Sequence, residues 1–311
     1  MARNRRSPVW AMLLVTAVAS AAVVAAVVAA VVAVVAVSPK LEPPPGPPGT
    51  LHIVTRGELA SQPGLRAYFA GFSGADCHAR GCSSPTACLA AYLSAVIERP
   101  SSAVMSALAG DAAEADRLCG LHVPRLSRAG PWRVAVLRAE AGAENGWPHT
   151  HGGVVCLPEG GGHFGRPRME RVETMVHERV HVYQRRFPAE AAELVRAWGM
   201  RPSGLPLRSS LTALKRSNPD LDGHVYADRY GVVTVQVFNS ERPASLSDSR
   251  AVRVRVGGGG ADSGGEEREQ EREQEREHPL ERMAYSVARG AVRGPSDVKL
   301  DAATAAWMGR A

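Results

Sequence analysis

The sequence predicts an α+β fold, a small mixed sheet plus one long amphipathic helix, standing behind an N-terminal transmembrane helix. Three observations predict it. An Ala/Val-rich run precedes a proline spacer, two short alternating segments lie around residues 132–157, and an amphipathic helical stretch over Arg171–Arg186 follows them directly.

The 311 residues suffice for one large or two small domains. Residues 1–9 carry Arg3, Arg5 and Arg6 and read as a short cytoplasmic N-terminus. Within residues 10–37, from Trp10 to Val37, only Thr16 and Ser20 interrupt the apolar run. At helical rise that run covers about 42 Å, enough to span a bilayer with tilt. With three arginines before it and only Lys40 close behind, the positive-inside bias predicts a type II signal anchor, with the rest of the chain lumenal or extracellular. Small residues at Ala17-Val18-Ala19 keep open the alternative of secretion after signal cleavage. Residues 38–50 then form a stiff, polyproline-like spacer.

Residues 51–130 read as a helical N-terminal part. Ser84-Pro85 starts a helix whose apolar positions Cys88, Leu89, Tyr92, Leu93, Val96 and Ile97 repeat on one face until Pro100, and a second helical stretch covers about Asp111–Cys119. A core over 131–256 opens with Trp132, Val134 and Val136 alternating with Arg133 and Arg138 as in a strand. A Gly/Asn turn around Gly142–Gly146 follows, then a short strand at Val154–Leu157, the motif helix ending before Pro188, and a further strand at Val232–Phe238. Residues 257–277 are a charged low-complexity insertion built on an E-R-E-Q repeat, read as solvated. Residues 278–311 supply a last helix, with Pro279 at its start, and a C-terminal tail.

The formal charge of +6 does not imply a nucleic-acid surface. Only Lys40, Lys215 and Lys299 are lysines, the arginines are scattered, and no basic stripe is interleaved with aromatics; GC-rich codon usage accounts for the arginine content. Five cysteines, Cys77, Cys82, Cys88, Cys119 and Cys156, predict two disulfides and one leftover thiol in an oxidising compartment, with the connectivity open. A zinc knuckle at Cys77-His78, Cys82 and Cys88 is disfavoured, because no C-x-x-C pair occurs.

The chemistry concentrates in His177-Glu178-Arg179-Val180-His181. On a helix, imidazoles at i and i+4 project from one face and can share a tetrahedral metal, while Glu178 can reach a water there as general base. Val172, Met175, Val176, Val180 and Tyr183 make the apolar face of that helix, and Arg179, roughly 200° around from His177, is expected in solvent. A third ligand decides the subclass. The metzincin pattern would need Gly and His where Gln184 and Phe187 stand, and the aspzincin pattern fits Asp228-Arg229-Tyr230-Gly231 poorly. Glu281-Arg282-Met283-Ala284-Tyr285 supplies the remaining pattern: Glu281 in a first turn, Ala284 small enough for helices to lie together, and Tyr285 on the face of Glu281 where it can hydrogen-bond an oxyanion. Asp228 and Glu190 are the next candidates for the third ligand. His149 and His151 in P-H-T-H-G are accessory candidates for a second metal or for polarising a carbonyl. Asp220 and Asp222 are read mainly as turn formers.

Together P-H-T-H-G, H-E-R-V-H-V-Y-Q, N-P-D and E-H-P-x-E-x-M-A-Y resemble the gluzincin-type zincin metallopeptidases, and are similar to zincin-like proteins of large DNA viruses and microbial eukaryotes. The resemblance covers roughly Trp132–Tyr285. It implies zinc (Zn2+) held by His177, His181 and Glu281, a zinc-activated water deprotonated by Glu178, and a peptide or protein as substrate. The alternative function is a non-catalytic zincin-like binding or structural protein at the membrane.

Overall fold

The structure, a computed structural model, describes residues 50–138, 143–160, 163–203, 209–221, 225–255 and 278–309. Its first sheet contains β1 (Leu51–Ile53), β2 (Trp132–Leu137), β3 (His149–His151) and β4 (Val154–Pro158), in the spatial order β1-β2-β4-β3. β1, β2 and β4 run parallel, and β3 turns back antiparallel to β4 through Gly152-Gly153. Gly152 takes φ +58° in that tight turn, a conformation that a side chain would strain. Along β2, Val134 and Val136 enter one core while Ala135 and Leu137 enter another. A largely parallel sheet is covered on both faces, so β2 is nearly continuously buried instead of one-sided.

One face carries α1 (Arg56–Ala60), α2 (Leu65–Ala70), α3 (Gly74–Ala79) and α4 (Pro85–Ser94), which contribute Leu59, Leu65, Phe69, Cys77 and Tyr92 to its core. The other face carries α5 (Ser102–His122) and α6 (Arg168–Arg186). Ser84 caps α4 as the sequence suggests, but the helix stops at Ser94. Beyond it, Ile97 N–H donates to the Val136 carbonyl at 2.8 Å and Val96 bridges to Leu137, so the strand edge takes residues that helical periodicity had assigned to the helix. α5 extends beyond Asp111–Cys119 at both ends, since Ser101, ten residues before Asp111, caps it. Pro188 ends α6 and simultaneously occupies the first turn of α7 (Pro188–Ala197).

The expectation of a single small mixed sheet is corrected. After α7 come β5 (Arg201–Pro202), α8 (Ser209–Leu214), β6 (Tyr226–Ala227), β7 (Val232–Phe238) and β8 (Ser249–Arg255), and the four strands form a second, antiparallel sheet in chain order. β7 buries Val233, Val235 and Val237, and β8 supplies it with a full-length partner from Val232↔Arg255 to Phe238↔Ser249. Arg250, Arg253 and Arg255 of β8 are exposed and mask its strand character in the sequence. α9 (Pro279–Arg293) and α10 (Ala302–Met308) then return to the first core, where Met283, Ala284 and Val287 pack with Val176, Val180 and Tyr183 of α6.

The predicted fold class is corrected on a second count. Among the described residues no helix is long and apolar enough to cross a membrane. The run 10–37 on which that expectation rested lies outside the described residues, as do 38–49 and the insertion 257–277. The disulfide count is corrected as well: Cys82 pairs with Cys88, while Cys77, Cys119 and Cys156 are free and buried. Those three thiols are divided between the two faces of the first sheet and pack as small apolar side chains.

Candidate metal centre

α6 buries its apolar stripe against the sheet and presents His177 and His181, one turn apart, along its other edge. Their Nε2 atoms face each other at 3.1 Å. Glu281 stands in the first turn of α9, and the small, fully buried Ala284 lets that helix approach α6 closely. Its Oε2 lies 3.4 Å from His177 Nε2 and 3.5 Å from His181 Nε2. Ligand bonds of about 2.0–2.1 Å to a tetrahedral zinc place neighbouring donors about 3.3–3.4 Å apart. The three separations in this cluster bracket that value. The surroundings also favour a cation: Asp220 and Glu281 both act on the buried Glu178, with Arg185 opposing them.

Two of the three donors are held from behind. Gln184 Nε2 donates to the Leu280 carbonyl at 2.8 Å, which turns its Oε1 toward His181 Nδ1 at 2.9 Å. That oxygen can only accept, so Nδ1 carries the proton and Nε2 keeps its lone pair for a metal; the network assigns the tautomer. Asn218 acts likewise on Glu281. The Asp220 N–H donates to Asn218 Oδ1 at 2.8 Å, and Asn218 Nδ2 donates to Glu281 Oε1 at 2.9 Å, leaving Oε2 for the histidines. Without a cation, burial opposes ionisation of Glu281, but His181 and His177 outweigh it and hold the carboxyl well below its usual range. Burial alone would lower His181, yet Asp220 and Glu281 raise it.

Glu178 is 2 % exposed, and its Oε2 has no hydrogen-bond partner among the described residues. Burial pushes its carboxyl well above the usual range, with Asp220 and Glu281 adding to the shift and Arg185 opposing it. The residue lines a cleft of about 660 Å³ together with His177, Glu281 and Tyr285. Tyr285 sets its ring edge-on to His177, with centroids 4.4 Å apart, and is 51 % exposed at the cleft wall.

Other expectations resolve differently. His149 Nδ1 lies 2.8 Å from the Trp147 carbonyl and must donate to it, and its Nε2 lies 2.8 Å from Tyr92 Oη, whose hydroxyl donates to Cys156 Sγ at 3.2 Å, so both ring nitrogens are engaged within the protein. His151 is buried on the same side of β3, 5.3 Å from His149 between ring centroids, and burial holds its pKa well below the usual range. Arg179 is not in solvent. It is 2 % exposed, stacks on Trp132 at 4.4 Å, donates to the Leu126 and Gly130 carbonyls and pairs with Asp116 at 3.2 Å. Glu190 is engaged by Arg128 and Tyr183, and Asp228 accepts from the Tyr230 and Val232 N–H groups in a turn, so neither joins the histidines. Asp220 does more than form a turn: its Oδ1 accepts from Thr150 N–H at 2.7 Å and from the Thr150 hydroxyl at 2.6 Å. Asp222 lies outside the described residues.

Sequence reasoning missed Gln184, Arg185 and Asn218. Arg185 stands four residues after His181 and so shares its face, a signal that was available; it donates to the Pro219 carbonyl at 2.6 Å and to the Thr150 hydroxyl. The roles of Gln184 and Asn218 depend on contacts across 96 and 63 residues of chain, which no local pattern encodes. Comparison with protein-family models, curated proteins and solved structures gave no match.

Proposed function

We propose that the chain is a zinc-dependent metallopeptidase of gluzincin type, with His177, His181 and Glu281 holding the ion and Glu178 as general base. The observation that carries this reading is the buried, unpartnered oxygen of Glu178 beside three donors spaced for one tetrahedral ion. A carboxylate buried without a partner is costly, and a protein that only bound zinc would gain nothing from it. Zinc supplies Lewis-acid polarisation of a carbonyl and acidifies water. Glu178 takes the proton of the attacking water on its free oxygen. The same carboxyl would then return that proton to the leaving amine. Tyr285, on the cleft wall next to His177, is placed to donate to the oxygen where negative charge develops. Gln184 and Asn218 keep His181 and Glu281 in their binding orientations throughout.

The test uses the full-length chain and a mixed-sequence peptide library followed by mass spectrometry. Cleavage is expected with zinc, is expected to stop on chelation, and should return when zinc is restored. Failure to take up zinc would overturn the reading, and zinc uptake with no cleaved peptide in the library would reduce it to a binding protein.

A further inference from the structure

The loop 217–221 forms a wall between two cavities. On one side is the cleft of His177, Glu178 and Glu281, and on the other a second cavity of about 600 Å³; Arg216, Asn218, Pro219 and Leu221 line both. The wall is pinned at each end. Ser217 donates through N–H and Oγ to the Asp76 carboxylate at 3.0 Å, and Asp76 is itself paired with Arg80. At the far end Arg185 grips Pro219, and Asp220 binds Thr150. Thr150 is the middle residue of β3, the edge strand beside the cleft. Its outward N–H goes to Asp220, and its carbonyl accepts from Arg185 at 3.4 Å. An extended peptide therefore finds no free backbone pair at the centre of this edge, and the cleft closes at the loop.

Arg216 stands at the start of that wall, anchored by its own N–H, which donates to the Gln236 carbonyl at 2.9 Å. Its guanidinium lies 5.1 Å from the centroid of the Trp147 ring, another residue of the cleft wall. Its Nε is buried without an acceptor, and among the described residues no group accepts from its other nitrogens. Glu144, the carboxylate that acts on it most strongly, has both oxygens engaged by Arg80, one of them also by Tyr68. A planar guanidinium fork on a cleft wall that meets no acceptor among the described residues matches a carboxylate in geometry and in charge.

We propose that Arg216 receives a carboxylate of the substrate, and that this carboxylate is the peptide's own C-terminus, so that the cleft acts on chain ends. The capped edge strand favours a terminus over a chain passing through. The inference rests on the metallopeptidase reading for the identity of the substrate, but its binding step is measurable without turnover. The experiment is calorimetry on the full-length chain carrying Glu178→Gln, incubated with zinc. The probes are N-acetylated neutral peptides ending in a free acid, the same peptides ending in an amide, and amides with aspartate as the last residue.

The free acid is expected to bind at least about tenfold more tightly than the amide, as a charge-assisted bidentate pair requires. Arg216→Met should erase the difference and Arg216→Lys should keep part of it, with both variants melting like the parent. Equal binding of acid and amide, or an acid-to-amide ratio unmoved by Arg216→Met, would overturn the proposal. Aspartyl amides that bind as tightly as the free acid, and lose that affinity with Arg216→Met, would keep the carboxylate at Arg216 but overturn the chain-end assignment. Absent zinc uptake would defeat the metallopeptidase reading alone, since the acid-to-amide ratio can still be read on the metal-free chain.

Discussion

Replacing Glu178 with Gln is expected to lower kcat for peptide cleavage by about 10²–10⁴-fold, the usual contribution of a positioned general base, while zinc binding stays at the parent level. The two side chains have nearly the same shape, so the packing of Glu178 inside α6 is preserved; only the ability to take a proton is lost. Stability should hold or rise. Burial, with Asp220 and Glu281 beside it, opposes ionisation of the parent's carboxyl, whose Oε2 finds no partner among the described residues, and a neutral amide does not meet that opposition. Measurement of kcat, zinc content and melting temperature on the same preparation separates the outcomes. Unchanged kcat would remove Glu178 from the chemistry, and a simultaneous loss of zinc and of melting temperature would make it a structural residue.

Glu281→Ala is expected to weaken zinc binding by more than about 100-fold, beyond the loss that removal of an outer-shell partner of a ligand can cause. It deletes one of three donors and leaves two histidines on a single helix, which cannot close a tetrahedral site. Glu281→Gln, which keeps an oxygen but no charge, should fall between. Competition with a zinc-chelating dye gives the affinities. If Glu281→Ala bound zinc as tightly as the parent, the third ligand would lie elsewhere, and the gluzincin pattern would be lost.

How much of this was legible depended on the range of the interactions. The pair His177 and His181 is set by one turn of one helix, and the stripe from Val172 to Tyr183 that orients the helix is equally local. Pro279 and Ala284 hinted that Glu281 could reach them, but the meeting is made by the packing of α9 on α6, a tertiary event. The second sheet was half legible. β7 alternates with apolar residues, whereas β8 alternates valine with arginine on an exposed edge, and β5 and β6 are two residues each. Arg179 shows the limit of helical-wheel reasoning. Its angular position faces away from His177, but α5, Trp132 and the Pro124–Ala129 turn lie on that side, and buried carbonyls receive its guanidinium where solvent was expected. The anchoring of the wall at Ser217 by Asp76 spans 141 residues and left no trace in either local sequence.

X-ray absorption at the zinc edge of the full-length chain tests the tripod most directly. The spectrum of the parent is expected to show equimolar zinc with a first shell of two imidazole nitrogens at about 2.0–2.1 Å and oxygen at about 2.0–2.2 Å, losing one imidazole in His181→Ala and one oxygen in Glu281→Ala. A first shell containing sulfur, or one unchanged by both substitutions, would contradict a metal centre at His177, His181 and Glu281.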